Sequence, residues 1–355
     1  MDKPNYYEIK IKSQLDKTMI DWFEGLTVSN QEGGDAIIAG HLPDQAALQG
    51  VLNRISSLGL TLISVNAVPE GNTSEAINIV SEKENIITTN PTFFERYSLL
   101  LFLVLTPLIS LSIPLFLTLP ADLVPLIMIL IPALMAILLI SLSEGRKGVI
   151  ALLQKLVQWR MPFKWFAISL GLAFGLRLAM SLLAFLFGWI PSIQLNTWSP
   201  QQFLIIGIFT LIGAVMEELG WRGYALSKLL SKRSALASAL LIGIPWGILH
   251  LGLILPGQMN AGTSWVSTIL FVIGISVILT WLFVQTKYGI TAGIVFHAAQ
   301  NFFVFLNGGM IVAGISWESW LLTAVTLVIA ITLILLFGVN LQRVSTLEKE
   351  ILGTG

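Results

Sequence analysis

The amino-acid sequence predicts a mainly α, polytopic membrane bundle of about eight transmembrane helices carrying a small α+β amino-terminal cytoplasmic domain. Three observations predict it. Only 11% of the 355 residues are charged while 55% are hydrophobic, whereas a soluble protein carries about 25% charged residues. A series of apolar segments each approaches the ~20 residues that a helix needs to cross a bilayer. Finally, 12 of the 20 acidic residues lie within residues 1–90, so the charge missing from the membrane part is gathered at one end.

The chain divides on these grounds into four expected parts. Residues 1–68 form a small domain, 69–94 a linker rich in Asn, Ser, Thr and Glu, 95–340 the membrane domain, and 341–355 a tail. In the first part Ile9 and Ile11 alternate with polar residues as in a strand, and Asp16 to Glu24 suits a short helix. Leu26–Ser29 and Ala36–Ala39 read as strands around Gly33-Gly34-Asp35. Pro43-Asp44-Gln45 then opens a helix with Asp44 as N-cap. It carries Leu48, Leu52 and Ile55 at helical spacing, stops at Gly59, and is followed by a strand over Leu60–Val65. The order β-α-β-β-α-β suits a ferredoxin-like sandwich.

The expected spans are 97–118, 123–143, 165–190, 202–226, 236–255, 265–286, 290–307 and 319–338. Arg146, Lys147, Lys155, Arg160 and Lys164 lie between the second and third. Lys228, Lys232 and Arg233 lie between the fourth and fifth, Lys287 between the sixth and seventh, and Arg343 and Lys349 after the eighth. The alternate connections 119–122, 191–201, 256–264 and 308–318 contain neither Lys nor Arg. Cytoplasmic loops collect Lys and Arg, so both termini are expected in the cytoplasm. Residues 148–160 read as an amphipathic helix on the inner surface. No cleavable signal peptide is expected, because the first apolar run starts near Tyr97; the first membrane helix would direct insertion.

Composition also excludes functions. The formal net charge is zero, which leaves no electrostatic footprint for nucleic acid. The chain has no cysteine, which removes disulfides, thiolate metal sites and cysteine nucleophiles.

Against this apolar background a few polar residues stand out. Between Arg96 and Gly338 the acids are Asp122, Glu144, Glu217, Glu218 and Glu318; all but the adjacent pair Glu217-Glu218 fall in expected loops. An ionised group at mid-bilayer costs roughly 2.5–3.5 kcal/mol on the lenient insertion scale and is usually functional. Arg222 stands four residues after Glu218, and Asn301 four after His297, so each pair shares a helix face. His250 lies on a third helix, after Trp246. Three helices thus present polar groups that lipid would reject, and these are expected to converge inside the bundle. Gly243/Gly247 and Gly289/Gly293 would let the helices approach closely. For His250 and Glu217 to reach one depth, the fifth span would begin later, near Leu240, with residues 227–238 partly interfacial.

A carboxylate and an imidazole can hold and deprotonate water, while a second imidazole and a carboxamide can donate to an oxyanion. Two histidines and a glutamate are also a zinc ligand set. Composition and spacing leave these readings open.

Taken together, Glu217-Glu218-x-x-x-Arg222, Trp246-x-x-x-His250 and His297-x-x-x-Asn301 resemble the three motifs of the CAAX protease and bacteriocin-processing (CPBP, or Abi) family. The resemblance extends over roughly residues 95–338, with one departure: the family's second motif usually has Phe where Trp246 stands. It implies an intramembrane endopeptidase in which Glu217 and His250 activate water and His297 and Asn301 form the oxyanion site. Glu218 and Arg222 would be mainly structural, Trp246 would pack beneath His250, and no cofactor is favoured. A zinc-dependent variant would use Glu217, His250 and His297. Arg177 lies outside the motifs and is expected, with Arg222, to balance the two glutamates. The expected partners are the lipid bilayer and a membrane-anchored protein or peptide substrate. The expected location is the plasma (inner) membrane if the source is prokaryotic. Competing readings are a non-catalytic scaffold or bacteriocin-immunity protein and, disfavoured by the lack of internal repeats, a transporter. The segment from Trp22-Phe23 to Gly50 resembles a small bacterial domain of unknown function.

The Lys/Arg asymmetry predicts that a reporter fused at Lys3 or Ser345 reads cytoplasmic and one inserted in 256–264 reads external. The reverse pattern would overturn the orientation.

Overall fold

The computed structural model describes residues 5–15, 17–23, 25–31, 34–58, 60–68, 92–157, 161–193, 197–287, 289–306 and 316–342. The chain divides into two compact units, Met1–Asn90 and Pro91–Gly355. The expected linker falls, up to residue 91, outside the described residues, as does the tail from residue 343.

In the first unit β1 (Asn5–Ile11) is followed by α1 (Lys17–Ile20) with a 3-10 turn (Asp21–Phe23), β2 (Thr27–Asn30), β3 (Ala36–Leu42), α2 (Gln45–Ser57) and β4 (Leu62–Val68). The sheet order is β2-β3-β1-β4, with every neighbouring pair antiparallel. β1 and β2 therefore run the same way with β3 inserted between them, the split β-α-β arrangement. The alternation at Ile9 and Ile11 puts both on one face, where they meet Ile38, Phe23, Val51 and Ile55 in a small core. Asp44 caps α2, its Oδ1 accepting from Ala47 N at 2.7 Å, which satisfies one of the amides a helix start leaves free. β3 and β4 run three residues further than the expected strands, to Leu42 and Val68.

The second unit contains α3 (Phe93–Phe116), α4 (Leu123–Met128), α5 (Ile131–Ser143), α6 (Gly145–Gln154), α7 (Phe163–Leu186), α8 (Pro200–Glu218), a π-helical segment (Leu219–Leu226), α9 (Ser227–Leu230), α10 (Ala235–His250), α11 (Trp265–Gln285), α12 (Thr291–Leu306) and α13 (Ser316–Phe337). Seven stretches are long and apolar enough to cross a membrane: α3, α4–α5, α7, α8 through α9, α10 with the turn after it, α11 and α13. Their outer faces expose large apolar side chains such as Leu108, Phe174, Leu204 and Leu335, which only lipid would accept. This is an integral membrane protein. The remaining expected span, 290–307, is the 16-residue helix α12. At 1.5 Å per residue it covers ~24 Å, short of the ~30 Å hydrocarbon core.

Sequence signals set several of these boundaries. Thr92 and Glu95 form a capping box at α3, and Ser199 and Gln202 form another at α8. The surface helix expected over 148–160 is α6 with a 3-10 turn over Lys155–Val157; residues 158–160 lie outside the described residues. Lys155 Nζ donates to Gly223 O (2.6 Å) and Ser227 Oγ (2.9 Å), tying this helix to the end of the fourth span.

The fourth and fifth spans differ from expectation. α-Helical geometry stops at Glu218 and gives way to the π segment, all eight residues of which are buried. Gly220 sits so close to α5 that an added Cβ would lie 2.5 Å from Pro132 C and O. The helix widens where it presses on its neighbour's backbone, and Lys155 takes up one of its carbonyls. The span then continues to Leu230. The fifth does not begin near Leu240: Ser234 caps it, its Oγ accepting from Ala237 N, and α10 starts at Ala235. Depth matches for a different reason. With the fourth span ending at Leu230, Glu217 lies roughly 20 Å from its end, and His250 lies roughly 22 Å from the start of α10.

Of the four glycines expected to admit close packing, three do so. A Cβ at Gly243 would lie 2.9 Å from Ile273 Cα, one at Gly247 3.1 Å from Ile269 Cα, and one at Gly293 2.9 Å from Glu218 Oε2. Gly289 meets nothing closer than 3.5 Å. Gly243→Val should therefore prise α10 from α11 and lower stability by about 1–3 kcal/mol. Gly171→Ala, where a Cβ meets nothing within 4 Å, should leave the unfolding temperature in detergent unchanged. Equal effects of the two substitutions would refute this packing role.

Candidate active site

The polar residues singled out in the sequence come from the end of α8 (Glu217, Glu218), the π segment (Arg222), α10 (Trp246, His250), α12 (His297, Asn301) and α7 (Arg177). All but Arg177 gather around Trp246 or share α12 with a residue that does.

Glu218 is completely buried, while Glu217 keeps 5% of its surface. Glu218 Oε1 accepts from Arg222 Nη1 at 3.0 Å and faces His297 Nδ1 at 2.9 Å. An oxygen that already accepts from a guanidinium can only accept from the ring, so His297 carries its proton on Nδ1. Its Nε2 then faces away from Glu218. Glu218 is thus more than the i,i+4 partner of Arg222, because it also orients an imidazole on another helix.

Glu217 Oε2 accepts from Trp246 Nε1 at 2.6 Å. Trp246 does not simply pack beneath His250. Its indole stands edge-on to both His250 (5.8 Å between ring centroids) and His297 (5.5 Å). The Arg222 guanidinium carbon lies 4.4 Å from the centre of the same ring, a cation–π contact. Arg222 Nε and Nη2 find no hydrogen-bond acceptor among the described residues, and the ring face provides their electrostatic partner. His250 Nδ1 lies 2.8 Å from Trp246 O. A carbonyl only accepts, so Nδ1 again carries the proton and Nε2 offers a lone pair.

Asn301 is half-buried one turn beyond His297. Arg177 does not reach the carboxylates. With the Gln300 carboxamide oxygen turned toward it, Arg177 donates to that oxygen from Nε (3.2 Å) and Nη2 (2.9 Å). Gln300 was not singled out in the sequence, although it stands one helical turn from His297 and is itself buried. Among the described residues no group of three or more His, Cys, Asp or Glu side chains is gathered as a metal site would require.

The fold and this cluster define a class: a polytopic membrane protein with carboxylates, imidazoles and a guanidinium assembled inside its helix bundle. Residues 198–303 match the family described as type II CAAX prenyl endopeptidase Rce1-like. CAAX prenyl protease 2 of Methanococcus maripaludis is 30% identical over 107 residues, which are 28% of this chain and 40% of that protein. The chain thus matches 40% of the length of that relative, and over residues 198–303 it is similar to the CAAX endopeptidase family. Residues 6–66 match a family described as a domain of unknown function, DUF8691.

Trp246→Phe, the residue usual in the family, should remove the indole donor and lower stability by about 1–3 kcal/mol, as expected when a charged acceptor loses a buried hydrogen bond. In a double-mutant cycle with Glu217→Gln the coupling should exceed about 0.5 kcal/mol. Strict additivity would show that the 2.6 Å contact is not energetically linked.

Proposed function

We propose that the protein is an intramembrane endopeptidase of the glutamate type, facing the cytoplasm and hydrolysing a peptide bond in a membrane-anchored protein or peptide. The observation that carries the proposal is the difference between the two adjacent glutamates. Glu218 is completely buried, with Oε1 on Arg222 and His297 and Oε2 sealed among the described residues, whereas Glu217 is held by Trp246 through one oxygen and retains exposed surface. A carboxylate held through one oxygen and still accessible to water suits a general base.

In this reading a water is held between Glu217 and the lone pair of His250 Nε2. Its oxygen attacks the scissile carbonyl as its proton passes to Glu217, giving a tetrahedral oxyanion. His297 and Asn301 donate to that oxyanion. For His297 this requires a proton on Nε2 as well as on Nδ1, an imidazolium whose counter-ion is Glu218. Collapse of the intermediate breaks the C–N bond, and the proton on Glu217 goes to the departing amine. Glu218 and Arg222 act as positioning residues. The name of the archaeal relative, CAAX prenyl protease 2, supports a prenylated, membrane-anchored substrate.

Glu217→Gln should keep the fold and lower cleavage by ~10²–10⁴-fold, the range for loss of a general base; His250→Ala should do likewise. Near-normal cleavage by either purified variant would overturn the roles given to Glu217 and His250, and no cleavage by the unsubstituted chain would return the protein to the scaffold or immunity class. Elemental analysis and a strong chelator address zinc in the same preparation. Stoichiometric zinc whose removal abolishes cleavage, and whose return restores it, would replace this mechanism with one using Glu217, His250 and His297 as ligands.

A further inference from the structure

The surface helix α6 carries a charged patch that the peptidase reading does not use. Gly145, at φ 65°, ends α5 as a left-handed glycine, and α6 then packs by one face. Gly148 and Leu152 are buried. Leu152 lies so near the π segment that a Cβ at Gly223 would come within 3.3 Å of its Cδ1. Another edge of α6 is open. Arg146, Ile150 and Leu153 stand at i, i+4 and i+7, so they share that edge, and all three are exposed. An ion pair brings a second run of cations beside it. Glu144, at the start of α6, accepts from Lys228 at the end of the fourth span at 2.7 Å. Residues 144–147 and 228–233 together hold five basic residues, Arg146, Lys147, Lys228, Lys232 and Arg233, against the single acid Glu144. Lys228 takes up that acid, and among the described residues no salt bridge joins the other four cations to a carboxylate. All four are exposed.

Orientation alone accounts for Lys and Arg at this end of the spans. It does not account for an arginine in line with exposed isoleucine and leucine on a helix too short to cross the bilayer. That combination sets aliphatic side chains among acyl chains and the guanidinium at the level of the phosphates. A guanidinium holds a phosphate through a planar fork of donors. A zwitterionic headgroup would bring its own cation to the patch, whereas an anionic one would not. We infer that α6 and the end of the fourth span form a binding site for an anionic phospholipid. Its phosphate lies among Arg146, Lys147, Lys232 and Arg233, and an acyl chain runs along Ile150 and Leu153. The bound lipid also steadies the π segment, because α6 is tied to that segment. Lys155 donates to Gly223 O and Ser227 Oγ, and Ser227 Oγ donates to Arg222 O. Lipid binding does not depend on the peptidase reading; the tie places its effect beside the residues of that reading.

The full chain in dodecyl maltoside is titrated with phosphatidylglycerol or phosphatidylcholine carrying the same fluorescent acyl chain, and binding is read by anisotropy. Phosphatidylglycerol should bind at least about fivefold tighter, the effect of one well-placed basic residue at a membrane surface. Replacing Arg146, Lys147, Lys232 and Arg233 together by Gln should erase the preference. Lys287→Gln, at an exposed cation outside the patch, should leave it intact. Equal binding of the two lipids by the unsubstituted chain, or a preference that survives the fourfold substitution, would overturn the site. Displacement of the labelled lipid by millimolar glycerol 3-phosphate would assign the patch to a soluble phosphate and overturn the lipid assignment. Hydrogen exchange in nanodiscs reads the effect on the π segment. The amides of residues 223–227 should exchange at least about threefold more slowly with phosphatidylglycerol in the disc than with phosphatidylcholine alone. Lys155→Met should remove that slowing and keep the lipid preference. Equal exchange in the two discs, or slowing that persists in Lys155→Met, would overturn the steadying of the π segment while the lipid site stands. Neither measurement involves cleavage, so failure of the peptidase reading would leave both results in force.

Discussion

One carboxylate oxygen, Glu218 Oε1, holds the buried cluster together. It accepts from Arg222 in the π segment and from His297 on α12, so it ties two helical stretches through one atom. The Arg222 guanidinium then lies over the ring of Trp246 of α10, and Trp246 in turn holds Glu217. Each link fixes the next: carboxylate to guanidinium, guanidinium to indole, indole to the second carboxylate. Taking such charges out of water is expensive, and removing one partner of a buried pair leaves the other uncompensated at a cost of about 3–5 kcal/mol. The cluster is therefore an all-or-none element, and the two glutamates, though adjacent in sequence, cannot exchange roles.

The π segment begins directly after the adjacent glutamates and sets how the residues that follow face them. In an unbroken α-helix consecutive side chains diverge by about 100°, and the face that carries Glu218 and Arg222 would recur at regular intervals. Here the regular helix ends at Glu218 and the wider segment begins at the next residue. That change lets the backbone at Gly220 press against Pro132 while Arg222 still reaches back to Glu218. π segments are rare and concentrate at functional sites, and this one begins beside the proposed base. The surface helix α6 braces it from outside through Lys155.

Much of this was legible in the sequence because ionisable groups are so conspicuous in apolar helices. Glu217, Glu218, Arg222, His250, His297 and Asn301 could be named without a structure, as could the helix face shared by Glu218 and Arg222. The α+β character of the first unit was legible too, from alternation at Ile9 and Ile11 and the cap at Asp44. What was not legible depends on the azimuth of one helix against another. Nothing in Trp246-x-x-x-His250 says that the indole N–H points at Glu217; the only hint was that an indole stands where a phenyl ring is usual. Arg177 suggested a counter-charge for the glutamates, and only the packing of α7 on α12 directs it to Gln300 instead. The depth argument failed for a related reason. It placed Glu217 near a helix end at residue 226, whereas the fourth span runs on to Leu230 through geometry that hydropathy does not register.

Gly293 does no chemistry, yet it decides whether the site can assemble. Its Cα faces the Glu218 carboxylate so closely that a methyl group would lie 2.9 Å from Oε2. Any larger residue would have to push out the carboxylate that His297 and Arg222 share. A related chain could therefore carry every glutamate, histidine and asparagine of the three motifs and still be unable to close the cluster, if position 293 bore a side chain. An inventory of reactive groups would score such a protein as an enzyme; the residue that separates it from a working one is a glycine facing them.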